Sequence, residues 1–183
     1  MKELDSDIIS LCQRGDKTAF RCVVQAYQRM VFSLALKMLA NEEDAKDIVQ
    51  ETFIRVWQSI RNYDERRSFT TWLYTIASRL CLDHLKSSHT RKSVASDEEV
   101  FRHFASDSNS QRKLENKEWV SIVRVLAEGL SEKQRLVFTL CQLEGLTSQE
   151  VEQITELDAR QVKSNLYVAR QIIRKKMKEL GYE

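Results

Sequence analysis

Between Ala159 and Lys178 lie seven basic side chains, Arg160, Lys163, Arg170, Arg174, Lys175, Lys176 and Lys178, and no acid. A helix of a single sign repels itself, and an anionic partner such as a phosphate backbone offsets that repulsion. Helical spacing puts Val162, Leu166, Ala169 and Ile173 on one face. Arg160, Ser164, Tyr167 and Gln171 then lie opposite, flanked by Lys163, Arg170 and Arg174. Such a helix fits the major groove of B-DNA, its N-terminal side chains at base edges and its flanking bases at phosphates. The plain alternative is a solvated basic helix with no ligand.

Two further groups of residues carry recognition chemistry. From Glu42 to Glu51 there are five acids and one base, Lys46. Opposite the apolar stripe of that segment lie Asp47, Gln50, Glu51, Ile54 and Gln58. An isoleucine ringed by hydrogen-bonding groups suits a protein interface with an apolar centre and a polar rim; spacing alone fits a solvated face with one stray isoleucine equally well. The third group joins a polar loop beginning near Tyr63 to a helix carrying Phe69, Trp72, Thr75, Arg79 and Lys86. Aromatics beside bases form a platform on which unpaired bases stack, although Phe69 and Trp72, taken singly, fit a core better. Enzymatic chemistry finds no comparable support. His84, His89 and His103 have no carboxylate or thiol at metal-ligand spacing, and the sequence has no Gly-rich phosphate loop, nucleophile elbow or His-Glu-x-x-His. The expectation is a non-catalytic chain with no cofactor and no metal.

These groups need helices to position them. In the first half, Asp5 or Ser6 caps a short helix ending at Gly15, and Asp16 caps a long one running to about Leu39. Asn41, followed by Glu42, Glu43 and Asp44 in a first turn that suits the helix dipole, starts a third. Its apolar positions Ala45, Ile48, Val49, Thr52, Phe53, Val56, Trp57 and Ile60 follow the helical period. A loop from Arg61 to Ser68 leads into a fourth helix, expected from about Thr70 to Lys86. Ser87 to Arg112 is rich in serine and charge and reads as a flexible linker. In the second half a helix from Leu114 to Glu128 precedes three start signals: Ser131 with Gln134, Thr147 with Glu150, and Asp158 with Gln161. They predict a helix to about Glu144, a short one over Ser148–Thr155, and a long one over Ala159–Leu180. A short helix, a three-residue turn and a basic helix make a helix-turn-helix.

The composition agrees with an all-α fold of two small domains. There is no proline among the 183 residues, and the four glycines, Gly15, Gly129, Gly145 and Gly181, each fall where a helical period stops. Cys12, Cys22, Cys81 and Cys141 read as small buried apolar residues in a reducing compartment. The acidic start is unlike a signal peptide, and no apolar run reaches membrane-spanning length, so a cytoplasmic location with no membrane insertion is expected.

Two blocks of residues resemble one family. Asp44-Ala-Lys-Asp-Ile-Val-Gln-Glu-Thr-Phe-Ile-Arg-Val-Trp57, Ser68-Phe-Thr-Thr-Trp-Leu-Tyr-Thr-Ile-Ala77 and Leu82-Asp-His-Leu85 resemble region 2 of the bacterial extracytoplasmic-function (ECF) sigma factors, of the sigma-70 family. Leu130–Phe138, Gly145–Val151 and Val162–Arg170 resemble region 4. The resemblance covers nearly the whole chain, in order, and implies region 2 over 1–88, a linker over 89–112 and region 4 over 113–183. It implies that the acidic helix docks on the β′ clamp helices of core RNA polymerase through Asp44, Asp47, Gln50, Glu51, Ile54 and Gln58. The loop and helix carrying Asn62, Tyr63, Arg66, Arg67, Ser68, Trp72, Thr75, Arg79 and Lys86 would hold the melted −10 element of the promoter. Region 4 would bind the β flap and read the −35 element through Arg160, Gln161, Lys163, Ser164, Tyr167, Arg170 and Arg174. Many relatives are held inactive by an anti-sigma factor, which makes one a further expected partner. The sequence departs from the family pattern at Arg79, commonly asparagine, and at Asn165 and Val168, frequently arginine. It departs again at Glu152, commonly a small residue, and at Glu156, where a turn glycine is usual. Two other readings use the same residues: a helix-turn-helix regulator that binds duplex DNA alone, and an adaptor that only binds protein.

Overall fold

The computed structural model describes residues 6–92 and 129–179; the expected linker beyond Lys92 and the expected helix over 114–128 lie outside the described residues. The described residues are all-α, with no strand among them. In chain order the helices are α1 (Ser6–Gln13), α2 (Lys17–Leu39), α3 (Glu42–Ser59), α4 (Phe69–Lys92), α5 (Glu132–Phe138), α6 (Ser148–Thr155) and α7 (Ala159–Glu179). A 3₁₀ turn (Ile60–Asn62) follows α3, and a π-helical turn (Thr139–Leu143) follows α5.

Local chemistry explains most of the boundaries. Asp16 accepts from the backbone N–H of Thr18 (2.7 Å) and Ala19 (3.0 Å), and Asn41 accepts from Asp44 N–H (3.1 Å). The capping boxes at Ser131/Gln134 and Thr147/Glu150 are both complete, and Asp158 with Gln161 makes the same reciprocal pair at 2.8 and 3.0 Å. Gly15 ends α1 with φ +90°, while Gly15 N–H donates to Cys12 and Asp16 N–H to Leu11. Gly129 departs from that role: it has no positive φ, and its bare Cα lets Lys176 and Ile172 of α7 close on it. Cys22 departs from its expectation as well, standing exposed on α2 while Cys12 and Cys81 are buried.

Two helices differ from their expected ends. Helix α4 starts at Phe69, with Ser68 Oγ accepting from Thr71 N–H at 3.4 Å, and runs on to Lys92, six residues beyond the expected end. The helix expected to reach Glu144 is α-helical only to Phe138 and then widens, with Glu144 N–H reaching back five residues to Thr139 at 2.9 Å. Gly145, at φ +73°, closes the turn, and Leu146 N–H donates to Leu140 at 3.0 Å.

Helices α2, α3 and α4 form the first core around Tyr27, Val31, Leu34, Met38, Val56 and Leu73, all at most 1% exposed. Burying a large apolar side chain of this kind contributes about 1.5–3 kcal/mol. Leu136, Val137, Leu140, Val151, Ile154 and Val162 from α5, the π turn, α6 and α7 join the same continuous apolar cluster. Helix α6 packs directly on α4, so the two halves are closed against each other.

Candidate nucleic-acid and protein interfaces

On α3 the apolar stripe faces inward as expected, with Ala45, Ile48, Thr52, Phe53 and Val56 buried. Thr52, the one polar member, donates its hydroxyl to Ile48 O at 2.6 Å and so adds no unsatisfied group to the core. Asp47, Gln50 and Gln58 are exposed around Ile54, which is itself 43% exposed. Glu51 pairs with Arg55 at 2.8 Å on the same surface. Asp44 sits at the edge of this face, its carboxylate 3.3 Å from His84 Nε2 of α4. A single large apolar side chain thus stands among acceptors on a rigid helix.

The loop between α3 and α4 is organised by aromatic packing. Tyr63, Phe69 and Trp72 stack with ring centroids 4.9–5.5 Å apart, and Phe69 also meets Tyr27 at 5.4 Å. Tyr63 is buried and its hydroxyl donates to the carbonyl of Arg67, so its ring holds the loop in shape. Gln13 Nε2 of α1 donates to Tyr63 O at 2.9 Å and fixes the loop from the other side. Phe69 is core, whereas Trp72 is half-buried beside Thr75, whose hydroxyl donates to Thr71 O at 2.9 Å. The fixed loop leaves Asn62, Arg66, Arg67 and Ser68 exposed. Arg66 holds Asp64 bidentately, Nε donating to Oδ1 and Nη2 to Oδ2, both at 2.9 Å, and this hydrogen bonding lowers the pKa of the Asp64 carboxyl to about 2. Arg79 and Lys86 are exposed one and three turns further along α4, and Arg79 is paired with Glu156 of the second half.

On α7, Val162 and Ala169 are buried while Arg160, Gln161, Lys163, Ser164, Tyr167, Arg170 and Arg174 are exposed, Tyr167 at 64%. The turn from α6 is made by Glu156, whose φ of 59° and ψ of 20° are left-handed, with its N–H on Glu152 O at 2.9 Å. Asn165 folds its amide back onto Gln161 O at 2.8 Å. The arrangement presents a basic helix with its N-terminal residues uncovered, which is the geometry of a helix-turn-helix reading the major groove. Among the described residues no group of His, Cys, Asp and Glu is arranged to hold a metal ion, and no helix is long and apolar enough to cross a membrane.

Fold and surfaces define a two-part helical class whose second part is a helix-turn-helix. Residues 23–91 match Sigma-70 region 2, and residues 121–173 match Sigma-70, region 4. The RNA polymerase sigma-H factor of Pseudomonas aeruginosa is 30% identical, over 98% of this chain and 96% of its own length. The ECF RNA polymerase sigma factor SigW of Bacillus subtilis is 28% identical, with 94% and 96% covered. The solved structure of CnrH in complex with the cytosolic domain of CnrY shares the fold at a TM-score of 0.71 and 20% identity, covering 96% of this chain and 97% of that one. The sigma factor RpoE in complex with the anti-sigma factor NepR from Bartonella quintana does so at 0.67 and 18%, covering 87% and 96%. The chain belongs to the ECF RNA polymerase sigma factors, of the sigma-70 family, and acts in transcription initiation. Neither the stand-alone regulator nor the protein-only adaptor is supported by these likenesses.

Proposed function

We propose that residues 1–88, with the α4 extension to Lys92, hold core polymerase and the −10 element, that 89–112 link, and that 113–183 read the −35 element. The observation that carries this reading is the presence of three exposed faces of different chemistry on one helical frame. The α3 face of Asp47, Gln50, Glu51, Ile54 and Gln58, with Asp44 at its edge, docks on the β′ clamp helices; its exposed isoleucine supplies the apolar centre. Asn62, Arg66, Arg67, Ser68, Trp72, Thr75, Arg79 and Lys86 hold the melted strand, with Tyr63 positioning the loop beneath them. Arg160, Gln161, Lys163, Ser164, Tyr167, Arg170 and Arg174 engage the −35 duplex while region 4 sits on the β flap.

The protein works by binding and carries out no chemical step of its own. The two solved relatives bound to CnrY and to an anti-sigma factor support an anti-sigma partner for this chain as well. A polymerase-bound, DNA-bound role places the protein in the cytoplasm. The test is run-off transcription with core polymerase on promoters mapped after overexpression. Initiation that depends on added protein is expected; start sites unchanged by the protein would overturn the reading.

A further inference from the structure

Helix α2 carries four bases, Lys17, Arg21, Arg29 and Lys37, and no acid along its 23 residues. Lys37 is spent inside the molecule: its ammonium pairs at 2.7 Å with Glu144, whose carboxylate also accepts from Tyr74 OH at 2.9 Å. Lys17, Arg21 and Arg29 stand exposed, at spacings that keep them along one side of the helix. The exposed bases of α3 are treated differently. Lys46 is paired with Glu42 and Glu43, and Arg55 with Glu51. Among the described residues no carboxylate lies within ion-pair distance of Lys17, Arg21 or Arg29. A face of one sign with no counter-charge of its own favours an anionic partner.

The face runs on towards the loop between α3 and α4. A Cβ at Gly15 would lie 3.7 Å from Arg61 Nη2, so the Arg61 guanidinium rests at the α1–α2 turn, with exposed Arg14 just before it and Lys17 just after. Arg61 directly precedes Asn62, the first of the loop residues assigned above to the melted strand. Two hydrogen bonds fix α1 to that loop, Ser10 Oγ donating to Glu65 Oε1 at 3.2 Å and Gln13 Nε2 to Tyr63 O at 2.9 Å. The acids at this edge are occupied, Asp16 by the N–H groups of Thr18 and Ala19 and Asp64 by Arg66. The aromatics of this part of α2 turn inward, Phe20 on Phe53 and Trp57 and Tyr27 on Phe69, so the face offers charge for phosphates and no platform for bases. We propose that Arg61, Arg14, Lys17 and Arg21 form a track that grips the phosphate backbone of the single strand where it leaves the −10 element. The contact is independent of sequence and adds affinity through counterion release. It rests on the assignment of the loop to the −10 element.

The experiment compares holoenzyme made with the wild-type chain, with the double variant Lys17→Gln and Arg21→Gln, and with the charge-keeping double variant Lys17→Arg and Arg21→Lys. Glutamine suits a helix about as well as the residues it replaces, and neither side chain has an ion pair to lose, so both variants should keep wild-type helicity by circular dichroism. Affinity is measured at several salt concentrations for a fluorescent single strand that ends at the −10 element of a promoter mapped after overexpression. The same strand extended by about six nucleotides at one end or the other is measured beside it, a length within the site size of such surfaces. The wild type is expected to bind one extended strand more tightly than the short one. The glutamine variant should lose that gain and lower the salt slope on the extended strand by about 1.4, about 0.7 for each phosphate contact removed, while binding the short strand like the wild type. The charge-keeping variant should retain both gain and slope. A wild type that gains nothing from either extension, or a glutamine variant that keeps gain and slope, overturns the track. A glutamine variant that keeps the gain but binds core polymerase more weakly also overturns it and gives the face to the polymerase. A wild-type holoenzyme that binds the short −10 strand no better than a scrambled one overturns the assignment of the loop, and the track with it. One that prefers the −10 strand and fails the extension test overturns the track alone.

Discussion

Glu156 holds a backbone conformation that costs a side chain with a Cβ roughly 1 kcal/mol or more and costs glycine almost nothing. What it returns is an ion pair with Arg79 in which the two side chains are 60% and 73% exposed, a geometry worth at most a few tenths of a kcal/mol. The backbone term is the larger, so Glu156→Gly should stabilise the fold by up to about 1 kcal/mol, read as a rise in the urea midpoint at constant slope. Glu156→Gln, which keeps the left-handed strain and loses only the charge, should leave the midpoint nearly unmoved. A fall in stability for the glycine variant would show that the ion pair outweighs the strain. At this scale the sequence was informative where chemistry is local. The position needing a left-handed residue follows from the resemblance, which puts a turn glycine at Glu156, and all three cap pairs follow from spacing alone. Side chains whose state depends on distant packing were not legible: Tyr63 resembles a loop residue free for DNA, and only the ring contacts with Phe69 and Trp72 bury it. Cys22 sits in a helical apolar pattern, and only the fold shows that its face of α2 is left open.

Helix α3 is the element whose inward and outward faces both follow from period. Five of its buried residues obey the i, i+3, i+4 spacing, and the outward side retains Ile54 among polar groups. Replacing Gln50 and Glu51 together with alanine should weaken binding to core polymerase by about 1–4 kcal/mol, the usual cost of removing interface anchors. The fold should survive, because Glu51 contributes to the helix only an exposed i,i+4 pair with Arg55, worth about 0.3–0.5 kcal/mol. Titration of labelled core polymerase with a variant of unchanged helicity checks this, and unchanged affinity would remove α3 from the docking surface. The π turn after α5 is the counter-example among the elements. Thr139 to Leu143 carry no residue that forbids an ordinary α-turn, so the expectation of a helix to Glu144 was natural. The wider turn is fixed by what lies across from it: Lys37 and Tyr74 belong to the other half of the chain, and no local pattern encodes their arrival.

At the scale of the whole molecule, the proposed function joins two DNA-binding faces of modest size to one polymerase-docking face. Linked sites multiply their affinities through effective concentration, provided the geometry allows both to engage. The contribution of a single α7 residue therefore shows in sequence preference and salt dependence more than in holoenzyme binding as such. Arg160 lies at the N-terminal end of α7, exposed and two residues before buried Val162 turns the helix onto its core, where side chains reach base edges. Lys163 and Arg170 are exposed at the flank, where a groove-bound helix meets phosphates. In holoenzyme, Arg160→Ala should relax preference at one −35 position, costing about 1–3 kcal/mol on the best site and less on others. Lys163→Ala or Arg170→Ala should weaken all sequences alike and lower the salt slope by about one. The measurement is affinity for a panel of −35 variants at several salt concentrations, with the −10 element held constant. A uniform loss with Arg160→Ala would make it a phosphate contact and move base reading along the helix, toward Ser164 or Tyr167. Were even the unmutated holoenzyme indifferent to the −35 panel, the cause would lie in this helix itself. Asn165 is turned back on Gln161 and Val168 is apolar, so neither position supplies the guanidinium that a guanine edge would recognise. Promoter choice would then rest on the proposed −10 face of α4 and the loop before it.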